Sequence, residues 1–169
     1  ITVEFNFTLP TCHHRFGYGE NAINLANFYP IACVYENNDF STNPYNANGD
    51  PFYSDVANYN VNLTLNKSYL VASSGEKINE TTSENNKTIN YSAIVVRDFA
   101  LVVSNKFEVI SSSYKNTTIE YYYFNDENAE KSLQAGLDSI KTFSNLFGEF
   151  PYSNFSIVKT DFVYGGMEY

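Results

Sequence analysis

Ile1, Val3, Phe5, Phe7 and Leu9 alternate with Thr2, Glu4, Asn6 and Thr8. This period of two predicts a strand with one buried face, ended by Pro10. The stretch from His13 to Gly19 reads as a loop. Between Asn27 and Glu36, the nearly continuous apolar run Phe28, Tyr29, Ile31, Ala32, Val34 and Tyr35 predicts a strand covered on both faces. Residues 43–51 are dense in Asn, Pro, Gly and Asp and predict an exposed connection. Alternation returns at Tyr59, Val61, Leu63 and Leu65, and a short strand is expected over 69–73, closing at Ser74 and Gly75. Residues 76–90 are polar and predict a hairpin loop with strand edges at Ile78 and Ile89. Ala93 to Val96 and Phe99 to Val103 form either one long strand with an irregularity or two close strands. No helix is expected in the first hundred residues, which read as an antiparallel β domain.

The period then changes. Phe107 to Ile110 and Ile119 to Phe124 predict strands joined around Tyr114, Lys115 and Asn116. From about Asn128 to Phe147, Ala129, Leu133, Gly136, Ile140, Phe143 and Phe147 recur at helical spacing within a narrow stripe. Asn125 or Asp126 suits the helix start, and Gly148 followed by Pro151 stops the helix. Phe155 to Thr160 predicts a strand leading into Tyr164-Gly165-Gly166-Met167-Glu168-Tyr169. A strand–strand–helix–strand unit over 105–169 is therefore expected to open a second, mixed domain after a β domain over 1–104. The chain starts inside a strand pattern and stops just after one, so it reads as an excised piece.

Composition narrows the possibilities. Hydrophobic residues make up 43% of the chain and aromatics 17%, with 15 Tyr, 14 Phe and no Trp. That is ample for a packed core and too aromatic for disorder. The net charge of −9, with no clustered Lys/Arg stripe, argues against nucleic-acid binding. An acidic surface can attract an ammonium group, or simply keep the protein soluble. Cys12 and Cys33 could form one disulfide, but no disulfide framework or Cys-x-x-Cys knuckle is present. Sequons occur at Asn6, Asn62, Asn66, Asn79, Asn86, Asn90, Asn116 and Asn154, and in a chain this rich in Asn, Ser and Thr they arise by chance. No apolar run approaches the roughly 20 residues of a membrane-spanning helix. His13 and His14 are adjacent, with Cys12 directly before them, a run without metal-ligand spacing, which makes a poor metal site. No His-Glu-x-x-His, phosphate-binding loop or Gly-x-Ser-x-Gly is present, so the chain alone offers no visible nucleophile or general base.

The informative chemistry is at Gly165-Gly166-Met167-Glu168-Tyr169. Two glycines at a strand end remove the side chains that would hold another backbone away, so an extended peptide could pair there. The carboxylate of Glu168 could meet a positive charge on such a peptide. On spacing alone, a turn followed by a solvated Glu is the commoner outcome.

This segment resembles the Gly-x-Met-Glu-Asn exopeptidase motif of the aminopeptidase N (membrane alanyl aminopeptidase) family of zinc metallopeptidases, in a form familiar from bacterial members. Arg97 to Val103 resembles the closing strand of that family's saddle-shaped amino-terminal β domain. The helix over 128–147 with Phe147-Gly148-Glu149-Phe150-Pro151-Tyr152 resembles the helix and turn before the motif strand. Asn27 to Ile31 and Gly49 to Ser54 are similar to β-domain segments. The resemblance implies a saddle-like antiparallel β-sandwich domain, followed by the start of a thermolysin-like catalytic domain. It implies that Glu168 anchors the free amino terminus of a peptide substrate, that Gly165 and Gly166 form the backbone edge, and that Tyr164 and Met167 shape the first side-chain pocket. Tyr169 stands where many members have Asn. The zinc of the full-length enzyme, its ligands and the general base are implied to lie beyond Tyr169 in the remaining catalytic domain, so this piece alone is expected to be inactive. A parent outside the cytoplasm or anchored to a membrane fits family habit. Two other readings stay open: a stand-alone aromatic-rich β binding module, and a family member that has lost its zinc motif.

Overall fold

A computed structural model describes residues 1–42, 53–162 and 165–169, so the connection expected at 43–51 and the residue Tyr164 lie outside the described residues. The chain is mainly β, as expected. Strands β1 (Phe16–Tyr18), β2 (Ile23–Ala26), β3 (Tyr35–Glu36) and β4 (Asp39–Phe40) come first. They are followed by β5 (Ala57–Asn66), β6 (Leu70–Ser73), β7 (Glu76–Thr82), β8 (Asn86–Val96) and β9 (Ala100–Ser104). Then come β10 (Glu108–Tyr114), β11 (Thr117–Tyr123), helix α1 (Ala129–Phe147) and β12 (Asn154–Val158).

Four of these strands form an antiparallel sheet in the order β1-β2-β9-β6, and three more form a second sheet in the order β5-β8-β7. Strand β9 is flanked by β2 and β6 and buried on both faces, Leu101 and Val103 in one apolar cluster and Val102 in another. Its apolar run Ala100–Val103 reflects that position. Phe99 is 0% exposed and packs with Val71, Ile89, Tyr91, Leu101 and Val103, the shared core under both sheets. Tyr29 lies against this cluster, and its hydroxyl accepts a hydrogen bond from the Phe99 backbone N–H at 3.0 Å. On β8 the inward positions Lys87, Ile89, Tyr91 and Ala93 alternate with Thr88, Asn90 and Ser92 on the other face. There Asn90 donates to Asn62 at 2.8 Å and the Thr64 and Thr88 hydroxyls pair at 2.8 Å. Such cross-strand pairs fix register on a solvated face.

A third sheet has the order β10-β11-β12. Strands β11 and β12 are parallel, which demands a crossover, and α1 supplies it. Ala129, Leu133 and Ile140 of α1 pack on Ile119 and Tyr121. Gly136 faces the sheet so closely that a Cβ there would overlap Ile157 Cδ1. Gly148, at φ 106°, ends the helix as expected. A separate apolar cluster of Ala22, Ala72, Val102, Phe107 and Phe124 joins the first sheet to the third.

Several expectations are corrected. Residues 1–9 form no strand, and Val3, Phe5 and Phe7 are exposed by 57%, 47% and 47%. The alternation is real, but the edge beside β1 is taken by residues 10–12: Tyr18 N–H donates to Pro10 O and Cys12 N–H to Tyr18 O. The apolar side chains instead make a small aromatic ladder, Phe5 on Phe7 and Phe7 on Phe16. The loop expected over His13–Gly19 contains β1. The strand expected over Asn27–Glu36 breaks down because Asn27 turns out of β2 at φ 52° and Pro30 has no N–H to donate. Only Tyr35–Glu36 pairs, in a hairpin whose Asn37 and Asn38 both have positive φ. The polar stretch 76–90 is strand on both sides of a short turn, because β7 is a solvent-facing edge needing no apolar residue. Between 93 and 103 there are two strands. Phe143 and Phe147, expected in the helical stripe, are 57% and 81% exposed; the buried part of the stripe ends at Ile140. The helix start is Asn128, with no side-chain cap; Asp126 instead accepts from the Asn128 N–H at 2.9 Å.

Candidate functional site

After β12 the chain leaves its sheet and crosses to the first one. Lys159 N–H still donates to Tyr122 O, but Thr160 Oγ1 donates to Asn24 Oδ1 at 2.6 Å. Asp161 then accepts three hydrogen bonds from the turn between β1 and β2: Asn21 N–H at 2.6 Å, Asn21 Nδ2 at 2.8 Å and Ala22 N–H at 2.9 Å. Gly19 makes room for this carboxylate, since a Cβ there would overlap the Asp161 side chain. Burial alone would raise the Asp161 pKa; the donors from Asn21 and Ala22, with Lys106 nearby, outweigh it and hold the pKa below the usual carboxylate value.

The motif begins four residues after this clamp. Gly165 has φ 40°, a left-handed backbone that suits glycine, and a Cβ at either Gly165 or Gly166 would enter open space. The sole neighbour within 4 Å is Glu168 Oε1, 3.8 Å from the position a Gly166 Cβ would take. Met167 is half-buried and Glu168 is exposed. Tyr169 is 45% exposed, and its hydroxyl is pushed up to about 12, chiefly by burial, with Arg15 pulling the other way. The five residues carry no ladder hydrogen bonds. Strand β12 ends at Val158, so the expected placement of the glycines at a strand end is not met.

All five residues line a groove of about 740 Å³ between the first sheet and the turn and strand around β12. Among its other charged groups, Arg97 donates to Ser54 O at 2.5 Å, Asp98 accepts from Asn27 Nδ2 at 3.1 Å and Lys159 donates to Asn125 O at 2.9 Å. Among the described residues nothing pairs with the Glu168 carboxylate. It is therefore the group in the groove best placed to receive a cation, and the aromatic wall of Phe150, Tyr152 and Phe162 adds apolar surface beside it.

Cys12 and Cys33 are free thiols; Cys12 Sγ accepts from Asn24 Nδ2 and donates to His14 O, each at 3.0 Å. No three His, Cys, Asp or Glu side chains among the described residues converge as a metal site. Asp161, Thr160 and Asn21, which tie the chain before the motif to the first sheet, carry no sequence signal: Asp161 stands outside any periodic pattern and its partners are about 140 residues away.

No family model matches the chain, and no curated protein matches it. Solved structures do. An M1 zinc metallopeptidase from Deinococcus radiodurans aligns over 64% of this chain and 27% of its own length, with 19% identity and a TM-score of 0.52. A mutant M1 zinc metallopeptidase from the same organism aligns over 80% of this chain and 36% of its own, with 17% identity and a TM-score of 0.51. The chain thus spans about a third or less of the length of these neighbours. It shares its fold with part of the M1 zinc metallopeptidases.

Proposed function

We propose that this chain is the amino-terminal part of a zinc-dependent aminopeptidase. In this reading residues 1–104 are its β domain and residues 105–169 open a thermolysin-like catalytic domain. Glu168 binds the α-ammonium group of a peptide substrate. Gly165 and Gly166 leave the backbone open to the substrate's own backbone, and Met167 with Tyr164 borders the first side-chain pocket. The observation that carries the reading is an exposed, unpaired carboxylate beside two unobstructed glycines at a large groove, in a chain with an M1 metallopeptidase fold.

The described residues do not fit zinc, so no step through the metal is assigned to them. The zinc and its ligands belong, in this reading, to a part of the enzyme beyond residue 169. Residues 1–169 contribute binding and register. Fixing the amino end decides which peptide bond is presented for cleavage, and a charge-assisted hydrogen bond supplies the affinity. Glu168→Ala in the complete enzyme should lower kcat/KM on an aminoacyl anilide at least about tenfold. Blocking the substrate's amino group should erase the difference between the two forms. Unchanged kcat/KM in the variant would remove Glu168 from the site.

A further inference from the structure

The groove of about 740 Å³ that holds Glu168 has far more room than one ammonium group fills, and most of its wall is apolar. One side carries a panel of three rings. Phe150 meets Tyr152 edge-on with 5.5 Å between centroids, and Phe155 in the same way at 5.9 Å. The Tyr152 hydroxyl donates to Val95 O at 3.2 Å, which ties the panel to the end of β8. Tyr152 is nonetheless 38% exposed, so part of its side chain still lies in water. On the motif segment, Phe162 and Met167 line the same groove and neither is fully buried. Partly wetted rings on a concave surface gain by being covered with apolar atoms.

Charge argues against a charged side chain as the cover. Among the described residues, the charged groups at the groove besides Glu168 are Arg97, Asp98 and Lys159, and each already has a partner within the protein. Arg97 donates to Ser54 O, Asp98 accepts from Asn27 Nδ2, and Lys159 donates to Asn125 O with its ammonium 5.5 Å over the Phe124 ring. Arg97 and Asp98, adjacent in the chain, also offset each other in sign. An acidic or basic side chain entering here would exchange water for rings and meet no unpaired countercharge other than Glu168, which the amine takes. An apolar side chain loses nothing on entry.

We propose that the groove selects peptides whose first residue bears a large apolar side chain, aromatic above all, seated between the panel of Phe150, Tyr152 and Phe155 and the side chain of Met167 while Glu168 holds the adjoining ammonium group. This inference rests on the reading of Glu168 as the amine anchor and adds to it the class of residue that is anchored. A first residue as small as alanine leaves the panel wet.

The test is kcat/KM of the complete enzyme on phenylalanyl, alanyl, arginyl and glutamyl anilides, each repeated with Glu168→Ala. The phenylalanyl substrate is expected to exceed the alanyl one by about tenfold or more, and the two charged ones by at least as much. Tyr152→Ala should cut the phenylalanyl value several-fold and leave the alanyl value within about twofold, whereas Tyr152→Phe, which keeps the ring, should keep the preference. Should Tyr152→Ala fail to fold, Met167→Ala trims the facing side and should narrow the same gap. An alanyl value equal to or above the phenylalanyl one, with Glu168→Ala damaging both, overturns this inference and leaves the amine anchor standing. An arginyl or glutamyl value above the phenylalanyl one overturns it in favour of Asp98 or Arg97 receiving a charged side chain. Cleavage of all four substrates unaffected by Glu168→Ala overturns the anchor, and this inference with it.

Discussion

The carboxylate of Asp161 grips Asn21 twice, accepting its backbone N–H at 2.6 Å and its side-chain Nδ2 at 2.8 Å across 140 residues of sequence. The folded-state pKa of Asp161 is depressed, so its contribution to stability is present above the unfolded carboxylate pKa of about 3.9 and is lost as pH falls through the lower, folded value. Asp161→Asn should cost about 1–3 kcal/mol at pH 7. The gap between the two proteins should begin to narrow near pH 4 and close as pH falls through the folded value, as followed by urea unfolding across that range.

Gly19 tests the same clamp from the opposite side. A Cβ at Gly19 would overlap the Asp161 side chain rather than a flexible tip, so the carboxylate must leave its donors. Gly19→Ala should destabilise by about 1–3 kcal/mol. In an Asp161→Asn background the added loss should be much smaller, since the interaction is already impaired. Additive losses in the double variant would mean that the two residues act separately.

Gly136 reverses the usual helix rule. Replacing an interior helical Gly with Ala ordinarily adds about 1 kcal/mol. Here the new methyl would overlap Ile157 Cδ1, the far end of one side chain. Gly136→Ala should therefore be neutral or destabilising by about 1 kcal/mol in the native background. In Ile157→Val, which lacks that Cδ1, the same change should stabilise. Thermal unfolding of the four proteins reads out the sign change.

Val95 sits at φ 56°, a left-handed backbone unfavourable for a β-branched residue, and is 60% exposed. Its N–H donates to Asn58 Oδ1 at 2.8 Å, and its carbonyl accepts from the Tyr152 hydroxyl at 3.2 Å. These bonds hold the irregularity near the end of β8, where its register against β5 shifts between Ala57 and Tyr59. Val95→Asn keeps both backbone bonds and relieves the strain, and should stabilise by about 1 kcal/mol in chemical denaturation.

The sequence was most legible where a periodic pattern coincided with a local partner. Strand β5, the apolar runs of β9 to β11, the last part of β8 from Ala93, helix α1 and the mainly β class all follow from local patterns within short stretches, whereas the first half of β8 reads as loop. It misled where pairing depended on distant chain. Residues 1–9 alternate as well as any strand, but the edge they would need is filled by residues 10–12. The apolar content of 28–34 reflects Phe28 and Tyr29 packed onto the core from a loop. The polar content of β7 reflects an edge with one solvated side. Within the candidate site, Glu168 and the glycines were legible as a motif, whereas Asp161 was not. Its meaning depends on tertiary neighbours that no local pattern encodes.

Strand β9 lies between β2 and β6, both made earlier than it. During synthesis at roughly 5–20 residues per second, Leu25 and Val71 must therefore wait with their apolar sides uncovered until Leu101 and Val103 have cleared the ribosome. The Asn21 turn waits longer still, for Asp161. Until Leu101 and Val103 arrive, the apolar sides of β2 and β6 are open to misassociation.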